Sequence, residues 1–213
     1  MASPLNLCAL DLSKAFDKFN HFGLFVKLMD LSIPNVLLEV LEDWFSKCLT
    51  CVRFGFAMSD YVHLNCGVRQ GGVLSPHLFA IYVDDIINKV SSSKFSCFKR
   101  FICISIFVYA DDIILLSPSV SFLQELINLV EKELNQLEMS INASKSTIIR
   151  FGPRYDVMCA ALKLRDGSEI PWASECQYLG KTLCSAKFFK CHIDKEKRAL
   201  YKSFNALFGK IGR

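Results

Sequence analysis

The sequence predicts a mixed α+β fold: an antiparallel sheet with packed helices. Three observations carry that expectation. Strand-like apolar runs and helix-spaced apolar stripes follow one another irregularly, without the strict alternation of a doubly wound sheet. Two apolar runs flank a tight acidic turn at Asp111-Asp112, the pattern of a hairpin. The 213 residues are 52% hydrophobic and 22% charged, which suits a packed core and excludes disorder or collagen-like repetition.

Taken in order, Leu5 to Leu12 is an apolar strand with Asp11 near its carboxyl end. From Lys14 to Leu31, Phe16, Phe22, Phe25, Leu28 and Leu31 fall at helical spacing, until Pro34 interrupts. A second helix is expected from Pro34 to Lys47, with Leu37, Leu38, Leu41 and Trp44 on one face. Thr50–Phe56 and Tyr61–Asn65 are strands around an Ala57–Asp60 turn. Gly67, Gly71 and Gly72 mark a loop, and Ser75-Pro76 starts a helix reaching about Lys89. Ser91–Ser93 is a surface linker before the acidic hairpin. A long amphipathic helix then covers Ser121 to Leu137. Short strands follow near Thr147–Phe151, Ala161–Leu164 and Gln177–Leu179, and a last helix spans Ile193 to Ile211.

Charge is uneven. Residues 181–213 hold nine Lys or Arg against Asp194 and Glu196, while residues 1–180 are slightly acidic. A basic end suits an anionic partner such as nucleic acid, or simply a solvated helix face. Ten cysteines at irregular spacing are too sparse for a secreted disulfide scaffold, and Met1-Ala2-Ser3-Pro4 lacks the charge of a secretory signal. They are expected to be reduced, mostly buried thiols of an intracellular protein, cytoplasmic or nuclear, with no disulfide partner. Cys48 and Cys51 have no second pair, and Cys184, Cys191 and His192 lack the spacing of a zinc knuckle. The longest apolar run, Phe101–Ala110, is half a membrane span, so no membrane partner is expected.

Two tandem acid pairs follow an aromatic residue. Asp84-Asp85 lies within a helical stripe, whereas Asp111-Asp112 sits at a hairpin tip. Unpaired carboxylates at such a tip repel one another, and a bound cation offsets the cost. Asp11, ending another apolar strand, supplies a third carboxylate if the strands are neighbours. Three strand-end carboxylates suit Mg²⁺ with its retained waters. The residues alone leave solvated strand ends as an equal reading.

Further residues bring a resemblance into view. Leu10-Asp11-Leu12-Ser13-Lys14-Ala15-Phe16-Asp17 resembles the first palm motif of non-LTR retrotransposon reverse transcriptases. Gly67-Val68-Arg69-Gln70-Gly71-Gly72-Val73-Leu74-Ser75-Pro76 resembles the second, Tyr109-Ala110-Asp111-Asp112 the third, Ile141-Asn142-Ala143-Ser144-Lys145-Ser146 the fourth, and Tyr178-Leu179-Gly180 the fifth. Five motifs in family order are beyond chance. The resemblance implies a polymerase palm over residues 1–183 and a basic helix over 184–213 that starts a helical thumb, with the fingers missing. It makes Asp11, Asp111 and Asp112, with the Leu12 carbonyl, ligands of two Mg²⁺ ions, or of Mn²⁺. It places Phe16, Gln70, Gly71 and Lys145 at the incoming nucleotide. It sets Arg69, Tyr178, Leu179 and Gly180 against template and primer. The residues themselves also allow Phe16 as a core side chain and Arg69 and Lys145 as solvated ones. The implied activity is RNA-directed DNA synthesis from dNTPs on an RNA template and a DNA primer. The alternative is a non-catalytic palm fragment that binds nucleic acid weakly. Without fingers, the chain by itself is expected to extend a primer poorly.

Overall fold

The computed structural model describes residues 3–69 and 71–211. The chain opens with β1 (Leu5–Asp11), then α1 (His21–Asp30) and α2 (Asn35–Ser46). Four short strands follow: β2 (Leu49–Thr50), β3 (Arg53–Phe54), β4 (Ala57–Met58) and β5 (Val62–His63). Next come α3 (Ser75–Ser91), β6 (Phe98–Lys99), β7 (Ile102–Cys103), β8 (Ile106–Tyr109), β9 (Asp112–Ser117) and α4 (Val120–Gln136). The rest is β10 (Thr147–Phe151), β11 (Leu162–Lys163), β12 (Glu169–Ile170), β13 (Glu175–Tyr178), β14 (Lys181–Cys184), β15 (Lys190–His192) and α5 (Asp194–Ile211).

The central sheet has the order β10-β1-β9-β8, and every pairing in it is antiparallel. Its two faces bury two different apolar sets, as the period of two requires. Cys8, Leu10, Ile113, Leu115 and Ile148 point into the main core, where they meet α1, α3 and α4 through Leu24, Phe79, Ile86, Leu123, Ile127 and Val130. Leu7, Ile114, Ile149 and Phe151 point the other way and pack on Cys176 and Leu183 of the β13-β14-β15 sheet. The alternation also decides where Asp11 and Asp112 project. They share parity with Leu7 and Ile114, so they lie on the face covered by β13 and β14.

Three stretches depart from the sequence expectation. Residues 14–20 form turns, and the helix starts only at His21, capped by the Asn20 side chain accepting from Gly23 N–H at 3.2 Å. The carbonyls of Phe16 and Phe19 are taken by the amides of Val68 and Gly67, at 2.9 and 2.7 Å, and so cannot feed a helix. The two expected strands after α2 become a nested hairpin, β2 on β5 outside and β3 on β4 inside, turning at Gly55-Phe56. Gly55 takes the positive φ, +60°, that the turn needs. On α2 the buried side chain is Phe45, with Leu38 and Leu41 packed against the core, while Leu37 and Trp44 are exposed.

The cysteines also correct an expectation. All ten are free, but only Cys8, Cys176 and Cys184 are buried and Cys66 is exposed. Among the described residues no helix is long and apolar enough to cross a membrane.

Candidate active site

The paired register of β1 and β9 sets Asp11 directly opposite Asp112. Residues that face each other across an antiparallel pair hold their Cβ atoms about 4.5–5.5 Å apart. Asp111 occupies the two-residue turn between β8 and β9, next to Ala110, whose φ is +52°. An L residue there stores backbone strain, and the strain lies beside the acids. All three carboxylates are half-buried. Burial pushes the Asp112 carboxyl above the usual carboxylate range, and the charges of Asp111 and Asp11 push it further. Among the described residues none of the three has a Lys or Arg ion-pair partner. Negative charge is therefore concentrated and uncompensated, an environment suited to a hard cation.

Asp11 is held from behind by a second motif. Its amide donates to Ser146 Oγ at 3.0 Å, and its carbonyl accepts from Asn142 N–H at 2.8 Å. Ser146 Oγ in turn donates to the Asn142 carbonyl at 2.7 Å. Leu12 is buried and bridges to Ile141. Ser146 is fully buried and locks the acid's backbone, a positioning role that sequence reasoning missed. Lys145, one residue earlier, is exposed on that turn.

Phe16, Gly71, Ser75, Pro76 and Asp111 line an open cleft of about 320 Å³, so three of the expected site residues share one space. Phe16 rests on Phe79, ring centroids 4.9 Å apart, which makes it both a core-packing side chain and a cleft wall. The glycine loop is pinned at both ends. The Gly67 carbonyl meets His21 Nε2 at 2.6 Å, and the Arg69 carbonyl accepts from Ser75 Oγ at 2.7 Å. Gly67 has φ +88°, and a Cβ there would sit 3.1 Å from the Phe16 and Asp17 carbonyls, so a side chain would be strained by its backbone and crowded by theirs. The Arg69 side chain is exposed; Gln70 lies outside the described residues.

Tyr178, Leu179 and Gly180 end β13 and turn into β14, with φ +47° at Leu179 and +73° at Gly180. Positive φ at both turn residues matches the tight hairpin turn whose twist fits the strands. Burial pushes the Tyr178 phenol up, and the nearby Asp112 charge adds to it, so this hairpin reaches the acidic cluster. The other acid pair lies elsewhere. Asp84 and Asp85 are on α3, where Asp85 pairs with Lys27 at 2.9 Å and Asp84 accepts from Asn88 at 2.8 Å.

The fold is similar to that of solved telomerases. Apo telomerase from Candida tropicalis, truncated from its C-terminal domain, superposes with a TM-score of 0.61 at 13% identity, covering 90% of this chain and 36% of that one. Telomerase from Candida albicans, in complex with a fragment of telomeric RNA, gives 0.59 at 14%, covering 86% and 31%. These likenesses define the fold class. Residues 4–183 match the family model Reverse transcriptase (RNA-dependent DNA polymerase), and the chain belongs to that family. It is 28% identical to the RNA-directed DNA polymerase from mobile element jockey of Drosophila funebris, over 87% of this chain and 20% of that protein. It is 25% identical to the Pol polyprotein from type-2 retrotransposable element R2DM of Drosophila melanogaster, over 86% and 18%. The chain spans about a fifth of the length of the curated relatives it matches.

Proposed function

We propose that this chain is the palm of a non-LTR retroelement RNA-directed DNA polymerase, adding dNTPs to a DNA primer on an RNA template. On this reading residues 1–183 are the palm, 184–213 begin the thumb, and the protein works in the cytoplasm or nucleus. The observation that carries the proposal is the in-register facing of Asp11 and Asp112, with Asp111 beside them and no Lys or Arg ion-pair partner among the described residues. Oxygen-only donors with unpaired charge fit Mg²⁺ or Mn²⁺. Asp11, Asp111, Asp112 and the Leu12 carbonyl would hold the ions, which supply activation of the primer hydroxyl and charge neutralisation at the leaving pyrophosphate.

The remaining roles belong to the chain itself. Phe16 and Gly71, walls of the cleft beside Asp111, would receive the deoxyribose and the nascent base pair, where the Phe16 ring would clash with a 2′-hydroxyl. Gln70 would share the nucleotide contact. Arg69 would follow the template. Lys145 would reach the triphosphate from its exposed turn, and the Tyr178–Gly180 hairpin would hold the primer end near Asp112.

One observation favours the second reading, a palm that binds nucleic acid without catalysis. Among the described residues the set of three potential ligand atoms lying within 4.8 Å of one another is Glu175, Cys184 and His192, and the aspartates do not form one. Two measurements separate the readings: Mn²⁺ binding by electron paramagnetic resonance, and primer extension on an RNA template with Mg²⁺. The open cleft orients a triphosphate weakly, so slow extension is expected. Asp111→Ala should remove it by about a thousandfold or more and weaken Mn²⁺ binding in parallel. Wild-type protein that binds Mn²⁺ nowhere and extends nothing would establish the non-catalytic reading. Extension indifferent to Asp111→Ala would discard the carboxylate assignment.

A further inference from the structure

The strongest cluster outside the acidic hairpin lies on the β13-β14-β15 sheet. Glu175 and Cys184 are direct cross-strand partners, and His192 lies opposite Thr182, two residues from Cys184 on the same face. The ligand atoms of Glu175, Cys184 and His192 all lie within 4.8 Å of one another. We infer that these three side chains form a Zn²⁺ site that fastens β15, the strand leading into α5, to the Tyr178–Gly180 hairpin.

The donor set favours zinc. A thiolate, an imidazole and a carboxylate suit a borderline-soft ion of tetrahedral preference, and exclude the oxygen-seeking Mg²⁺ and Ca²⁺. The spacing agrees. Cys184 Sγ is 3.7 Å from Glu175 Oε1, and tetrahedral bonds of about 2.3 Å to sulfur and 2.0 Å to oxygen put those atoms about 3.5 Å apart. A weak thiol–carboxylate hydrogen bond would account for that one contact, but not for the imidazole converging on it. Asp194 Oδ2 lies 3.8 Å from His192 Nδ1, close enough to bias the orientation of the ring. Cys184 is buried and fixed by the ladder, whereas Glu175 is exposed and His192 half-exposed, so two ligands can close on the ion from solvent. Lys190, opposite Cys184 on this face, is exposed and free to swing away. Cys191 packs on the other face, against the Leu7 and Phe151 core, and belongs to no site.

Three ligands leave a fourth position for water. The sequence concealed the set because Glu175 lies on the far side of the hairpin from the Cys184–His192 pair; only the β13–β14 register brings it in.

The test uses the full 213-residue chain, stripped of metal and titrated with Zn²⁺ against a chromophoric chelator, and in parallel with Co²⁺ as a spectroscopic probe. One Zn²⁺ per chain is expected, with a tetrahedral Co²⁺ spectrum that includes a sulfur-to-cobalt charge-transfer band. Cys184→Ser should abolish that band. His192→Gln and Glu175→Gln, both at accessible positions where folding is undisturbed, should each weaken Zn²⁺ binding at least tenfold, whereas Cys191→Ser and Asp111→Ala should leave it unchanged. No bound Zn²⁺, a Co²⁺ spectrum without the sulfur band, or binding unaffected by either accessible variant would overturn the site. None of these readouts depends on polymerase activity.

Discussion

Asp112 is the residue on which folding and chemistry pull apart. Its ionised form is disfavoured by burial and by two like charges, and the sheet register holds all three acids together regardless. Asp112→Asn should therefore raise the melting temperature of the metal-free chain by a few degrees, and lower the further rise on adding Mg²⁺ or Mn²⁺; thermal melts with and without chelator check both. The thiols give a pH signature of their own. Burial pushes the Cys176 thiol up to about 11 and Cys8 higher still. An acid whose folded pKa lies above its unfolded value stabilises the fold while protonated in both states. That stability is complete below about pH 8.5 and is lost as pH rises through the folded pKa. Denaturant midpoints should accordingly hold up to about pH 8.5 and fall beyond it. At pH 8 a thiol reagent should label exposed Cys66 rapidly, and Cys8 and Cys176 only after unfolding. At this scale much was legible. Asp11, Asp111 and Asp112 stood out as acids ending apolar runs. Ser146 did not, because its importance is a backbone hydrogen bond to a residue 135 positions away.

Among elements, the β8–β9 turn is one that holds backbone strain, and it does so beside the acids. Ala110 at φ +52° is adopted without a glycine's freedom. Ala110→Gly is expected to stabilise the chain by about 1 kcal/mol in chemical denaturation, because relief of the left-handed penalty outweighs the added chain entropy. Ser146→Ala works in the opposite sense: the half-buried Asp11 amide loses its acceptor, at a cost of about 1 kcal/mol by the same measurement. The strong helices α3 and α4 were visible from periodicity, since each buries one apolar face, and the strands β1, β9 and β10 from their apolar runs, since the sheet is covered on both faces. The misplaced pieces have tertiary causes. Residues 14–20 carry helix-spaced aromatics but surrender their carbonyls to the Gly67 loop. β14 and β15 were missed because Lys181–Cys184 and Lys190–His192 are too short and polar to show alternation.

At the scale of the molecule, order and exposure are divided. α5 leaves Leu200, Phe204, Leu207 and Phe208 exposed, so it adds little to the core that α3 and α4 build against the sheet. A chain ending at Ile193 should melt within about 2 °C of the full one, since little apolar burial is lost; calorimetry of both decides it. The central sheet has a different consequence, one of time. Leu5 is paired with Phe151, and Asn6 with both Arg150 and Ser117, so β1 is bonded on both sides by strands made more than a hundred residues later. Loop closure over such spans is costly before any contact repays it, which places this fold among slow ones. On the ribosome β1 waits, apolar and unpaired, until β9 has emerged, and keeps one open edge until β10 follows. Its exposure in that interval makes aggregation compete with folding, and slower synthesis at lower temperature should raise the yield of folded chain.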